Sequence, residues 1–331
     1  MSNWYLETGK DSDIVLSSKI RLARNLSQFN FYIKNIDELC KEEELIKFNV
    51  NSIGYGLKLI KLKEQDEAYI KCLIEKNIVP EQIFENKEKK SILINEEENI
   101  CILINQEDHF RIQVFASGME IDGISSLAIE IDEKLQQIFN IAKNKKYGFL
   151  TASPMNIGTG MKISLILHLP GLVKTKNITS ILKSVNRLGM EMTKEEGVDI
   201  YKLSNKQTLG ITEENITKYL KIIVEKIIEQ ERIARKIIAQ NEIYFKDQIY
   251  RSYGILSNCK KISQSEAEEL LSDIKLGTDL GILENITDAK IKKLYLYAKP
   301  VNLEKYLGKE LKGLEEEIKR AEVIQQIIKN I

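Results

Sequence analysis

Histidine is nearly missing from this 331-residue chain, which holds only His109 and His168. They lie too far apart in sequence for an HExxH metalloprotease helix, so that chemistry is excluded. The four cysteines, Cys40, Cys72, Cys101 and Cys259, stand apart with no CxxC pair, which implies neither a zinc site nor a disulfide framework. No GxSxG elbow supports a serine hydrolase. Four prolines and no low-complexity tract argue against disorder. Net charge is also lacking. Lys+Arg and Asp+Glu both total 49, so the bulk composition points to neither nucleic acid nor an anionic membrane. The longest nearly apolar stretch, Ile163 to Val173, contains His168 and Pro170 and is too short to span a bilayer. Met1 to Asp13 is polar and acidic, unlike a signal peptide. The expectation is a soluble, cytoplasmic chain, 43% hydrophobic and 30% charged, forming one large domain or two modest ones.

Arginine is scarce as well. There are eight, at positions 21, 24, 111, 187, 232, 235, 251 and 320, which leaves 49 − 8 = 41 lysines. Where lysine serves as the generic cation, a retained arginine marks a place for a planar five-donor fork or an ordinary ion pair.

The order of elements reads as mixed α+β. Ile14 to Arg24 begins as a β-rich run and turns polar at Ser17-Ser18. Asn99 to Phe115 reads as a hairpin, Ile124 to Ala142 as an amphipathic helix and Tyr147 to Ala152 as a strand. A tight loop, Ser153 to Gly160, leads into the apolar segment Met161 to Leu169. Ile178 to Met190 looks helical and Val198 to Leu203 looks like a strand. Thr212 is a candidate N-cap for a helix reaching about Gln240. Beyond it everything reads as helix: Ser263 to Glu266 is a capping-box candidate with Gly277 as a stop, followed by Thr287 to Ala298 and Leu314 to Ile328. The apolar stripes of the last two helices either pack within this module or pair two copies of the chain.

Two segments carry chemistry. Gly158-Thr159-Gly160-Met161-Lys162 follows a strand but matches neither GxxxxGK[ST] nor GxGxxG. Lys162 and Ser164 just beyond it can donate to phosphate oxygens. Asn105-Gln106-Glu107-Asp108-His109-Phe110-Arg111 gathers two carboxylates, an imidazole and an arginine at a strand edge. In an extended chain Glu107, His109 and Arg111 would share one face, able to hold a cation and an anion; the alternative is a solvated hairpin tip.

SSKIRLARN (Ser17 to Asn25), NQEDHFRIQ (Asn105 to Gln113) and GFLTASPMNIGTGMKISLILHLP (Gly148 to Pro170) resemble the ATP:guanido phosphotransferases. YRSYGILSNCK (Tyr250 to Lys260) and LLSDIKLGTDLGIL (Leu270 to Leu283) resemble the bacterial protein arginine kinases of the McsB type. The resemblance runs in order through nearly the whole chain. It implies an α+β, antiparallel-sheet catalytic domain of the glutamine synthetase/guanido kinase-like type over 14–235, and a helical C-terminal domain over 236–331. It implies transfer of the ATP γ-phosphoryl group to arginine side chains of proteins, in bacterial stress response and protein quality control. ATP and Mg²⁺ are the implied cofactors. The implied partners are proteins with exposed arginine, a zinc-finger activator protein and a Clp-type ATPase, with a homodimer as the implied assembly and no nucleic acid or membrane.

Carried over residue by residue, Glu107 matches the carboxylate that orients the guanidinium and accepts its proton. Arg21 and Arg111 match phosphate-holding arginines. The implied ATP-binding set is Ser17, Ser18, Lys19, Ile20, Arg21, Asn77, Arg111, Lys162, Ile163, Ser164, Leu165 and Ile166, with no protein-built metal site. The departures are pointed. Lys19 and Lys162 stand where the family has arginine, Ser153 where it has the active-site cysteine, and Asn77 where it has a histidine. The RGxxGE loop is reduced to Thr193 to Asp199, leaving Glu195 or Glu196 for a second carboxylate, with Glu196 assigned. The phosphoarginine-sensing RDxxRA motif becomes Glu316 to Ala321, with an acidic residue first, which repels a phosphoryl group. These departures sustain a competing reading, a degenerate kinase that binds nucleotide or partners. A phosphagen kinase acting on a small guanidino compound is a third reading, although only thirteen residues precede Ile14 where such enzymes carry a helical domain.

Overall fold

A computed structural model describes residues 3–31, 46, 51–195 and 198–329. Among these, β1 (Val15–Arg24), β2 (Lys58–Lys61), β3 (Ser91–Ile94), β4 (Ile100–Ile104), β5 (Phe110–Ser117), β8 (Met161–His168), β9 (Met190–Lys194) and β10 (Ile200–Asn205) form one eight-stranded sheet, ordered β2-β3-β4-β5-β1-β8-β10-β9. Every pairing in it is antiparallel. Two short strands, β6 (Lys143–Asn144) and β7 (Gly148–Phe149), make a separate ribbon. The strand expected over Tyr147 to Ala152 shrinks to β7, because the chain leaves the ladder for the Pro154–Asn156 turn. Helix α1 (Glu67–Glu75) is capped by the Asp66 carboxylate.

One face of the sheet is sealed. Ile20, Leu22, Phe110, Ile112, Val114, Ile163 and Leu165 alternate inward against α2 (Ile121–Ile138) and the first part of α5 (Glu213–Ala239), α3 (Pro170–Lys174) and α4 (Ile178–Arg187) lying between these two in sequence. The other face is only half covered. Ile92, Ile94, Cys101, Leu103 and Phe115 are roofed by Trp4 and by Ile70 and Leu73 of α1, while β1, β8 and β10 stay open.

The Thr212 side chain caps α5 by accepting from the Asn215 N–H. This helix runs unbroken past 235. Its residues to Ala234 join the sheet core, and Ile238 and Ala239 pack on a second core. That core is built by α6 (Glu242–Asn258), α7 (Gln264–Asp279), α8 (Asp288–Ala298) and α10 (Leu314–Lys329), with α9 (Pro300–Leu307) against α8. Ile291, Leu294 and Ala298, with Ala321, Ile324 and Ile328, spend both C-terminal stripes inside the module. Ser263 caps α7 as expected, but Gly277 does not stop it. A Cβ there would lie 2.5 Å from the Ile249 side chain, so Gly277 is a packing glycine and the chain turns at Gly281 with φ +70°.

A buried charge network joins the two cores. Glu231 accepts from the Gly171 and Leu172 N–H groups at 2.8 Å each and from Arg235 Nε at 2.7 Å. Arg235 also donates to Asp279 and to the Asp13 and His168 carbonyls. Lys275 bonds Asp279 and the Ser12 carbonyl. His168, fully buried, meets Ser272 Oγ at 2.9 Å.

Both histidines are held neutral. Burial pushes His109 down to about 4; burial and then the charges of Arg235, Lys275 and Lys174 push His168 well below its usual value. The unfolded chain therefore takes up protons below about pH 6.5 that the folded chain refuses. The histidine contribution to stability should hold above that pH and fall as pH drops toward 4, by about 3 kcal/mol from His109 alone. The buried carboxylates Asp108, Asp199, Glu231 and Asp279, raised by burial, act in the opposite sense. Urea unfolding of the parent and of His109→Gln at pH 7 and pH 4.5 isolates the effect; an equal change of midpoint in both would contradict it.

Candidate active site

Alternation along β1 sends Ser17, Lys19 and Arg21 to the open face, while Ser18 and Ile20 enter the sealed one. Strand β8 repeats the arrangement, with Lys162, Ser164 and Ile166 outward and Ile163 and Leu165 in the core. The register sets Lys19 opposite Ser164 and Arg21 opposite Lys162. On the other flank of β1, Arg21 pairs with Gln113 and Ala23 with Arg111. The result is a cleft of about 290 Å³ lined by Lys19, Arg21, Arg111, Lys162 and Lys202, with Ser17, Asn77, Ser164 and Ile166 alongside and Trp4 and Phe115 on an apolar wall. Ser18, Ile20, Ile163 and Leu165 support this cleft from behind. Ser18 Oγ donates to the Gly118 carbonyl at 2.6 Å.

The cations converge with few anions to meet them. Arg21 donates to Asn156 Oδ1 at 2.9 Å, Arg111 to Gln106 Oε1 at 3.1 Å and Lys19 to the Asn77 carbonyl at 3.2 Å, all neutral acceptors. Lys19 also lies 4.8 Å from the centre of the Phe115 ring. Lys162 pairs with Glu191 at 3.2 Å and Lys202 with Glu195 at 2.7 Å. Among the described residues the Nε atoms of both Arg21 and Arg111 are buried without a partner. Burial, then the charge of Arg21, pushes Arg111 down to about 9. Burial, then the charges of Arg111 and Arg21, pushes Lys19 well below its usual value. A guanidinium keeps its proton at neutral pH regardless, so the cost stands as unneutralised positive charge. A polyanion relieves it, through bidentate arginine contacts and charge-assisted bonds.

The Gly-rich loop is not a phosphate cradle. A Cβ on Gly158 would meet the Thr208 carbonyl at 2.3 Å, and one on Gly160 the Ala23 carbonyl at 2.7 Å, so these glycines allow backbones to pack. Beyond them Lys162, Ser164 and Ile166 reach the cleft.

The expected single face for Glu107, His109 and Arg111 is not formed. The chain leaves the ladder at Asn105, with φ +59°, and bends until β5 begins. His109 turns inward against Phe29 and Phe31, its Nδ1 accepting from the Leu26 N–H at 3.1 Å. Asp108 is also buried, accepting at 2.7 Å from Asn25 Nδ2 and from the Ala152 N–H. Glu107 alone is exposed, and its charge is the first to offset the burial of Arg21. The bend thus uses Asp108 and His109 as anchors and presents one carboxylate beside the cationic cleft.

Asn156 and Gln106 were not singled out in the sequence. Asn156 is buried on the turn after Ser153, which the Asp108–Ala152 bond ties to the Glu107 bend. Its signal was position within a motif, not residue type. Arg24 is no phosphate ligand. Its guanidinium pairs bidentately with Asp132 at 2.8 Å and lies 3.5 Å over the Phe149 ring. Glu195 lines the cleft, while Glu196 lies outside the described residues. Arg320 is buried, donating to the Ala298 and Ile262 carbonyls and pairing with Glu316, so the altered 316–321 motif spends its remaining arginine internally.

Residues 40–234 match the ATP:guanido phosphotransferase, C-terminal catalytic domain family, and 242–331 match the protein-arginine kinase McsB C-terminal domain family. The chain belongs to the protein-arginine kinases. It is 38% identical to the protein-arginine kinase of Halothermothrix orenii, across 98% of this chain and 96% of that one. Against the Listeria welshimeri protein-arginine kinase the identity is 37%, across 99% and 97%. Among solved structures, lombricine kinase shares 20% identity with a TM-score of 0.56 over 70% of this chain and 71% of that one. The duplicated taurocyamine kinase of Schistosoma mansoni shares 23% with a TM-score of 0.58, over 67% and 33%. These two likenesses establish the guanido kinase fold. No helix among the described residues is long and apolar enough to cross a membrane.

Proposed function

We propose that this protein-arginine kinase transfers the γ-phosphoryl group of ATP to arginine side chains of proteins, with Glu107 as the carboxylate that receives the guanidinium. The observation that carries the reading is the under-neutralised cluster of Lys19, Arg21, Arg111 and Lys162 beside the exposed Glu107. The four cations bind the phosphates and neutralise the charge that moves to the β-phosphate as the bond to the γ-phosphorus breaks. Glu107 pairs with the substrate guanidinium, aims one nitrogen at the phosphorus and takes the proton that nitrogen loses as the N–P bond forms. Magnesium would enter on the nucleotide phosphates, as it commonly does. Glu195 is the described carboxylate nearest the role expected of the shortened loop, although its bond to Lys202 occupies one oxygen. A role in stress response and protein quality control accords with this activity.

The acceptor decides between a protein kinase and a small-molecule kinase. With MgATP, phosphoryl transfer to an arginine-rich protein such as casein should exceed transfer to free arginine at equal guanidinium concentration by at least roughly tenfold, since flanking polypeptide adds binding energy at the transition state. Faster transfer to free arginine would contradict the reading.

A further inference from the structure

The last residue of α1 belongs to two sites at once. Glu75 Oε1 accepts from the Val301 N–H at 2.9 Å, and Oε2 accepts from the Asn302 N–H at 2.8 Å and the Asn302 amide at 2.6 Å. The carboxylate thus sits in the first turn of α9, where the backbone N–H groups have no helical acceptor and the helix dipole favours negative charge. Lys299 adds a bond from its Nζ to the Glu75 carbonyl. Two residues later Asn77 holds φ +59°, a left-handed conformation that asparagine tolerates better than most residues. Its carbonyl accepts from Lys19 Nζ in the cleft. Lys76 between them is paired with Glu98 at 2.7 Å, and the Ile78 carbonyl accepts from Gln113 at 2.9 Å. The turn from 75 to 78 is therefore pinned residue by residue, and Glu75 and Lys299 tie it to the helical module by hydrogen bonds.

We propose that Glu75 is a positioning residue for the nucleotide site: docked on α9, it fixes the Asn77 carbonyl and through it the Lys19 ammonium. The helical module thereby sets the geometry of a phosphate contact it does not touch. This inference rests on the reading of Lys19 as a phosphate ligand. Lys19 is a flexible point charge in place of a rigid guanidinium fork, so an external carbonyl has more to fix than it would with arginine. Glu75 takes no part in phosphoryl transfer, so loosening it should act on ATP binding and leave the chemical step alone.

A double-mutant cycle tests this in the full-length enzyme. Glu75→Gln turns one acceptor oxygen into a donor facing N–H groups, and Asn302→Ala loosens the same tie from the module side. Each should raise the KM for ATP roughly three- to tenfold, with kcat within about twofold of the parent. Lys19→Ala should raise the KM by itself, roughly tenfold or more. In the Lys19→Ala background, Glu75→Gln and Asn302→Ala should have no further effect. Titration of the fluorescence of Trp4, the single tryptophan, which lines the cleft, gives ATP affinity independently of turnover. Additive effects, or a fall in kcat and unfolding midpoint with KM unchanged, would overturn the proposal and leave Glu75 a structural cap. If Lys19→Ala raises the KM while Glu75→Gln does not, the positioning role alone fails. If Lys19→Ala leaves ATP affinity untouched, the phosphate reading of Lys19 fails and takes the positioning role with it.

Discussion

Glu107→Gln should slow protein-arginine phosphorylation by about 10² to 10⁴ while ATP still binds. The substitution keeps the side-chain shape and one acceptor oxygen but removes the charge that pairs with a guanidinium and the site that takes its proton. A guanidinium is a weak nucleophile because its lone pairs are delocalised and its pKa is very high, so orientation and proton acceptance carry much of the barrier. The neighbouring carboxylate cannot stand in. Asp108 is buried with Asn25 and the Ala152 N–H on its oxygen, and its burial raises its pKa. Initial rates with saturating MgATP and casein measure the effect, and Trp4 fluorescence reports the retained nucleotide binding. Equal rates in parent and variant would remove Glu107 from the mechanism.

Arg111→Met should have opposite effects on stability and on function. The free protein buries the Arg111 guanidinium near Arg21 with Gln106 as a neutral acceptor and Nε unpartnered among the described residues. Removing that charge and filling its volume should leave the free protein as stable or more so, by about 1 kcal/mol, which corresponds to ~2–4 °C in Tm for a domain of this size. The parent should gain in Tm with millimolar MgATP by ligand linkage, about 2.7 kcal/mol when ATP stands at a hundred times its Kd. The variant should show almost none of that gain. Differential scanning calorimetry with and without MgATP reads both effects. A variant that melts lower when free and still gains with ATP would show that Arg111 is structural.

The fold was legible where the pattern of residues is periodic. Strand β1, the β4–β5 hairpin, α5 with its Thr212 cap and α7 with its Ser263 cap all follow from alternation or capping chemistry. Strands β2, β3 and β9 were not legible. Their stretches of four or five residues are too short to show a period, and β2 finds its partner β3 only on the far side of α1. Gly277 misled because a glycine near a helix end suggests a stop, and only the Ile249 side chain against it shows a packing need.

At the site, the scarcity of arginine was the informative signal, but it could not sort the arginines by itself. Arg21 and Arg111 face the cleft, whereas Arg24, Arg235 and Arg320 use the same planar fork to tie buried elements together. Arg21 and Arg24 differ by an odd number of positions along one strand, and that parity puts them on opposite faces. The Glu107–His109–Arg111 alternation failed for a related reason. The rule of two holds only inside a ladder, and the left-handed turn at Asn105 takes the first two out of it.

This cleft is expected to phosphorylate arginine in proteins. Purified protein, MgATP and casein, followed by mass spectrometry under non-acidic conditions, test it most directly. Acid-labile phosphate should appear on casein arginine side chains and be lost in Glu107→Gln. Bound nucleotide with no phosphoarginine in either protein would contradict it and leave a degenerate, nucleotide-binding member of the family.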